Sequence, residues 1–326
     1  DAEYTSAGAS VVAATAADPA LTFAVSPPLV GSDTLAGSLT YSGVDVVTHP
    51  ITQGTAFAHP NYTVTFVAGT MAITPAEQSA LSITGVPSTV TYGDAPFTLG
   101  TSGGSGPGSV TYSAPADNGV ASVNPTTGAV TVLGAGTVEV TARKAASAGY
   151  AVASTSTQLT VVQRSVTVTA VDRTKVFGNA DPELSYTVSP ALVDGDSLAG
   201  ALAHTGTDVG TYPITQATAF AHRNYDVTFV AGTMTITPAG PTALSIDGLP
   251  STLTYGDGGF TLDTSGGSGT GAVTYSVPAD NGVLDVAPTG AVTIVGAGTV
   301  QLTAVKAPDR NHFGSSANVT ITVDEL

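Results

Sequence analysis

The chain has 326 residues, only 10% of them charged, and its 8 Lys plus Arg face 24 Asp plus Glu for a formal charge of −16. So acidic a balance cannot neutralise a phosphate backbone, which sets nucleic acid aside as a partner. Zero Cys excludes disulfide frameworks, thiolate metal sites and thiol nucleophiles. No apolar run approaches the 18 residues of a membrane span. The opening DAEYTSAGAS lacks the basic and apolar regions of a signal peptide. The chain is therefore expected to be either processed or a piece of something longer.

Read in order, the sequence repeats itself. FAHPNYTVTFVAGTMAITP at 57–75 returns as FAHRNYDVTFVAGTMTITP at 220–238, and ALSITGVPSTVTYGD at 80–94 returns as ALSIDGLPSTLTYGD at 243–257. The offset is 163 residues and falls to 162 after one deletion near Pro288. Each unit divides again near Pro75-Ala76 and Pro238-Ala239. The expected organisation is four modules: A1 (1–75), B1 (76–163), A2 (164–238) and B2 (239–326). Modules this small have modest cores, so contacts with neighbours should matter to their stability.

Residues 1–17 have no counterpart to the alternating SVTVTAVDRTKVFG at 165–178. Within them only Ser10–Thr15 resembles a strand. Two readings stay open: repeat drift, or a weakened first strand whose open edge accepts a strand from another chain. One short helical turn is expected at Asp33–Leu39 and at Asp196–Leu202, with Asp as its cap. Elsewhere period 2 dominates, as in Val166, Val168 and Ala170 or Val319, Ile321 and Val323, which is the pattern of half-buried antiparallel strands. Asn118-Gly119 and Asn281-Gly282 read as tight hairpin turns. The fold class is all-β: four small sandwich-like modules in tandem forming an elongated rod, the A modules being either small sandwiches or β-grasp-like with the helical turn.

The stretch TKVFGNADPELSYTVSPALVDGDSLAGAL at 174–202, with GTYPITQ at 210–216 and NYDVTFVAGTMTITP at 224–238, resembles the MBG ("mostly beta, glycine-rich") and related YDG repeats of large bacterial surface proteins. The first copy keeps ADPALTFAVSPPLVGSDTLAGSL at 17–39 but has THPITQ for TYPITQ. The B module resembles bacterial immunoglobulin-like repeats through VTYSAPADNGVASVNPTTGAVTVLGAGTVEVTA at 110–142. The resemblance implies tandem extracellular modules of adhesins and surface filaments at the bacterial cell surface.

Catalysis is not indicated. Of His49, His59, His204, His222 and His312, only His59 and His222 are equivalent, each beside a Tyr, and no nucleophile elbow accompanies them. TSGGSGPGS (101–109) and TSGGSGTGA (264–272) lack the Gly-Lys-Ser/Thr of a phosphate loop and read as flexible connections. Lys144, Lys175 and Lys306 are the only lysines available for a Lys–Asn cross-link, and Lys144 and Lys306 read as solvated. Met71 and Met234 read as core, and the absence of Trp gives little support for a sugar-binding face.

No cofactor is expected, calcium being the one ion left open. Asp94, Asp257, Asp117 and Asp280 recur in both copies and are the metal candidates, although turn residues bonding their own backbone explain them as well. The expected partners are neighbouring modules or identical subunits in a homopolymer, with any host or surface ligand held by regions outside this segment. The role expected is a non-catalytic stalk carried by its junctions, Pro75–Ala80, Val162–Ser165 and Pro238–Ala243. The alternatives are a filament subunit assembled head to tail by strand complementation, and accessory modules of a secreted enzyme.

Overall fold

The computed structural model describes residues 2–5, 11–147 and 149–326. These are strands and connections, with no helix among the described residues. They fall into two compact units, 1–164 with 223–225, and 165–222 with 226–326. Each unit is built of two kinds of paired sheets.

In A2 a three-stranded sheet (Tyr186–Ser189, Arg164–Ala170, Tyr225–Val230) accompanies a four-stranded one (Arg173–Val176, Gly232–Thr237, Gly210–Ala221, Ala199–Ala203). Alternation decides what is buried. Val166, Val168 and Ala170 point inward from the first sheet, and Ile214, Met234 and Ile236 from the second. Burying such aliphatic side chains stabilises by about 1.5–3 kcal/mol each. Phe177, Leu184, Leu202, Tyr212 and Phe229 close over this core. A1 repeats the plan around Ile51, Met71 and Ile73.

The first strand of A1 corrects the sequence reading. Ala2–Thr5 lies between Ala24–Ser26 and Val64–Val67, the place Arg164–Ala170 holds in A2. The edge that looked open is occupied by the chain itself, so strand complementation there has no vacant slot. Pairing supplies the order that side-chain alternation fails to announce. The register differs by one residue: Val25 faces Tyr4, whereas its counterpart Val188 faces Val168, which by the repeat offset corresponds to Thr5. Val11–Ala13 then pairs in parallel with Gly69–Thr74, in the same register as Arg173–Val176 with Gly232–Thr237. Of the Ser10–Thr15 stretch, Ser10 lies outside the described residues.

The expected helical turns are strands as well: Ala36–Tyr41 and Ala199–Ala203. The cause is local packing. Gly37 and Gly200 have φ near +157° and +158°, and a Cβ on either would fall 2.3–2.4 Å from the ring of Phe57 or Phe220. The strand bulges at this glycine to admit the ring. Asp33 and Asp196 close reverse turns, donating N–H to the carbonyls of Val30 and Val193.

Each B module places three sheets around a larger core, a two-stranded and a three-stranded one in both, with a four-stranded third sheet in B1 and a three-stranded one in B2. In B2, Leu244, Leu262, Tyr275, Leu284, Val292, Val300, Leu302, Ala304 and Ile321 are buried together. The longest ladder pairs Gly298–Lys306 with Ser315–Val323, as Gly136–Lys144 pairs with Ala153–Val162 in B1. Asn118-Gly119 and Asn281-Gly282 are not hairpins. They lie between strands of different sheets, Val110–Ser113 and Ala121–Val123 in B1. The Asn side chain organises the crossing, donating to the carbonyls of Pro115 and Ala121 and accepting from the N–H of Val120 and Ala121.

Substituting Gly200 with Ala combines a clash with the Phe220 ring and an unfavourable φ. G200A is expected to lower the stability of the second unit by roughly 1–3 kcal/mol, measured as a reduced urea midpoint, with G240A as an unhindered control because no atom lies within 4 Å there.

Candidate functional site

The residues expected to carry chemistry do not converge. Among the described residues no three of His, Cys, Asp and Glu cluster as a metal site would require. The Asp94 carboxylate accepts the N–H of Thr91 at 2.7 Å and Asp257 that of Thr254 at 2.8 Å, each closing its own turn. Asp117 and Asp280 are exposed and adopt φ of 54°, where Asp is tolerated better than most residues. His59 packs on Tyr62 with ring centroids 4.9 Å apart. Lys175 pairs with Asp181, whose other oxygen lies 3.5 Å from His204 Nε2. The Lys175 ammonium holds the Asp181 carboxyl below its ordinary range, with His204 adding to the effect. In A1 the equivalent Asp18 faces Tyr41 and pushes that phenol up.

What the structure does assemble, twice, is a clamp around the linker from A to B. The linker residue Ala76 donates its N–H to Gly149 and accepts that of Ala151, forming a parallel bridge with Tyr150. Ala239 does the same with Asn311, Phe313 and His312. The opposite side of the linker is held by the Gly-rich loop. Ser79 N–H donates to Ser105 Oγ and Thr242 N–H to Ser268 Oγ, both at 3.0 Å. Lys144 Nζ donates to the Gly104 carbonyl and Lys306 Nζ to that of Gly267.

These contacts revise two expectations. Lys144 and Lys306 are half-buried staples, and the Gly-rich loops are pinned between linker and strand. The glycines serve close approach: a Cβ on Gly103 or Gly266 would fall 1.9–2.0 Å from the carbonyl oxygen of Ala80 or Ala243, inside the linker.

The two clamps differ in their side chains. In the second unit Asp309 Oδ1 accepts the N–H of Asn311 and His312 at 2.8 Å and His312 Nδ1 at 3.1 Å. Its Oδ2 accepts Thr270 N–H at 2.8 Å and Thr270 Oγ1 at 3.3 Å. These bonds, that of the Thr270 amide foremost, hold the Asp309 carboxyl far below its ordinary range. Asn311 reaches into A2, accepting Val209 N–H at 2.9 Å and donating to Asp208 Oδ1 at 3.0 Å. Arg310 lies 3.2 Å from the other Asp208 oxygen, and His312 meets the edge of Phe177 at 5.3 Å.

In the first unit these positions read Ser147, Gly149 and Tyr150, and Thr270 is matched by Pro107, which has no N–H to offer. Gln78 substitutes in part, donating to the Ala151 carbonyl at 2.6 Å. Ser147 Oγ and Gln78 Oε1 are buried without a hydrogen-bond partner among the described residues. Where Asn311 and Phe177 fill the second junction, Gly149 and Ala14 border an open cleft of about 630 Å³. The Asp-Arg-Asn-His run at 309–312 was the available signal in a chain so poor in charge, and reading the histidines singly overlooked it.

Fold and junction together define a class, tandem β modules joined by clamped linkers. Within the A segments, residues 5–72 and 166–235 match the family model of the MBG domain (YGX type). No curated protein matches the chain. Among solved structures it is similar to protocadherin γB7 EC3-6 (11% identity, 97% of this chain and 98% of that one, TM-score 0.29). It is also similar to Drosophila N-cadherin EC1-4 (12%, 86% and 83%, TM-score 0.26) and human CDH23 EC21-23 (15%, 71% and 96%, TM-score 0.28).

Asp309 titrates with its folded pKa depressed, so its contribution is complete above the ordinary value of 3.8 and is lost as pH falls below it. Amide protection of Phe313 and Thr270 is expected to drop on acidification through that range, and D309A to remove it already at neutral pH. The matching amide of Ala151, with Ser147 across its loop, should show neither change.

Proposed function

We propose that this chain is a non-catalytic extracellular scaffold, the stalk of a bacterial surface adhesin or filament, with its four modules set end to end in the order A1, B1, A2, B2. The observation that carries this reading is the clamp. Both A-to-B linkers are built into backbone ladders on one side and pinned to a Gly-rich loop on the other. A linker with no fixed hydrogen bonds behaves as a flexible coil; here the backbone has partners on both sides, and force applied along the chain is borne by hydrogen bonds and cores. The MBG match supports a surface role, because the resemblance that it strengthens is to repeats of surface proteins. The acidic, Thr-rich exterior fits a body that stays soluble and engages few charged partners.

Calcium has no evident part in the scaffold, since the carboxylates of Asp94 and Asp257 are engaged by their own turns. Small-angle scattering with and without a chelator tests both statements. A compact chain of this length has a radius of gyration of about 20 Å. Modules end to end, each about ten strand residues long, give roughly twice that. The expected result is the larger value, unchanged by chelation. A value near 20 Å would overturn the stalk, and a change on chelation would assign calcium a place in the junctions.

A further inference from the structure

In the second unit one carboxamide bridges to A2: Asn311 Oδ1 accepts Val209 N–H at 2.9 Å, and its Nδ2 donates to Asp208 Oδ1 at 3.0 Å. Beside it the Phe177 ring packs over the A2 core and against His312. The first unit keeps the receiving groups and changes the side chains that fill them. Asp45 and Val46 match Asp208 and Val209 through the repeat offset, whereas Gly149 stands for Asn311 and Ala14 for Phe177. The backbone at Ala14 follows the same course, its N–H donating to the Thr74 carbonyl as that of Phe177 does to Thr237. Only the ring differs there.

The two changes fall side by side. A Cβ on Gly149 would lie 3.3 Å from that of Ala14. Ala14, Asp45, Val46, Gly149 and Tyr150 line one cleft of about 630 Å³, formed where A1 meets B1. Its polar groups are not engaged by the chain. Val46 N–H has no acceptor among the described residues, and the exposed Asp45 accepts hydrogen bonds only through its carbonyl. Ser147, on the same wall, keeps its Oγ buried without a partner among the described residues. A backbone donor and a carboxylate acceptor on adjacent residues, with space for a ring beside them, form a mould of the Asn311 and Phe177 side chains.

We propose that this cleft binds a small aromatic primary carboxamide. The amide oxygen accepts Val46 N–H, the amide nitrogen donates to the Asp45 carboxylate, and the ring lies over Ala14 where Phe177 lies in the second unit. The pair of polar groups sets the selectivity. A carboxylic acid of the same shape would bring its charge against that of Asp45, and a plain hydrocarbon ring would cover Val46 N–H without pairing it. The site goes beyond the scaffold reading and does not depend on it.

Titrating the whole isotope-labelled chain with benzamide, followed by its amide NMR signals, tests the proposal. The signals of Val46, Gly149 and Tyr150 are expected to shift with a dissociation constant of about a millimolar, the range open to so small a ligand. Benzoate at the same concentrations should leave them in place. A14F restores the ring that the second unit carries and should abolish the benzamide shifts. Gly149 has φ of +83°, so refilling the cleft from that position would strain the loop. D45A alters only an exposed side chain and should weaken binding roughly tenfold, the worth of a hydrogen bond to a charged group. Signals of the buried Val140 and Leu159 report whether each variant keeps the B1 core. Unmoved Val46 signals at about ten times the expected dissociation constant would overturn the proposal. So would equal shifts with benzoate, or wild-type binding by D45A or by a folded A14F.

Discussion

Everything distinctive in either unit depends on one constraint: the backbone between A and B is hydrogen-bonded on both sides at once. Ala76 and Ala239 sit in register with the loop that joins the two strands of the longest B ladder, while Ala80 and Ala243 lie against glycines that leave no room for a side chain. Buried backbone groups need partners, and here the partners come from the next module. The joint is thereby made part of the B fold, and the placing of A relative to B is fixed by the pairing that holds B together. The Gly-rich loops, the Lys staples and the alanines of the linker all follow from that requirement.

The two joints satisfy it with different chemistry. Thr270 and Asp309 form a donor and acceptor across the second joint, and at the matching places of the first both partners are replaced, by Pro107 and Ser147. A proline opposite an aspartate would leave a carboxylate short of a donor. The first joint leaves Ser147 Oγ and Gln78 Oε1 buried without a hydrogen-bond partner among the described residues, whereas the polar one also reaches across to Asp208 and Val209. Phe177, half-buried against the A2 core, completes it, whereas Ala14 leaves space in A1.

Much of this was legible in the sequence. Period 2 in Val166–Ala170 or Val319–Val323 is a direct statement of which face is buried, and the 163-residue offset reveals the duplication without any structural knowledge. What escaped the sequence was set by tertiary contacts. Ala2–Thr5 carries little alternation and is a strand because neighbours on both sides pair with it. Asp33–Leu39 has a helix-like start, yet Gly37 serves the Phe57 ring twenty residues away. Asn118-Gly119 matches a hairpin signal, and the Asn side chain uses its hydrogen bonds to cross between sheets. The clamp was visible only by comparing copies, since the replacement of Thr270 and Asp309 by Pro107 and Ser147 has meaning as a pair and none singly.

The one-residue difference in register between Ala2–Thr5 and Arg164–Ala170 has a bearing on how such a chain folds. Two near-copies on one polypeptide invite exchange, each first strand being able to seek the other copy's sheet, a failure typical of repeat proteins. Moving a strand by one residue turns its whole set of side chains to the opposite face. Ala2–Thr5 is four residues long and Arg164–Ala170 seven, with unlike sequences, so a first strand entering the wrong copy meets a sheet matched to a different partner. The divergence at the start of the chain thus acts as an address label, sorting each strand to its own sheet while the rest of the repeat stays nearly identical.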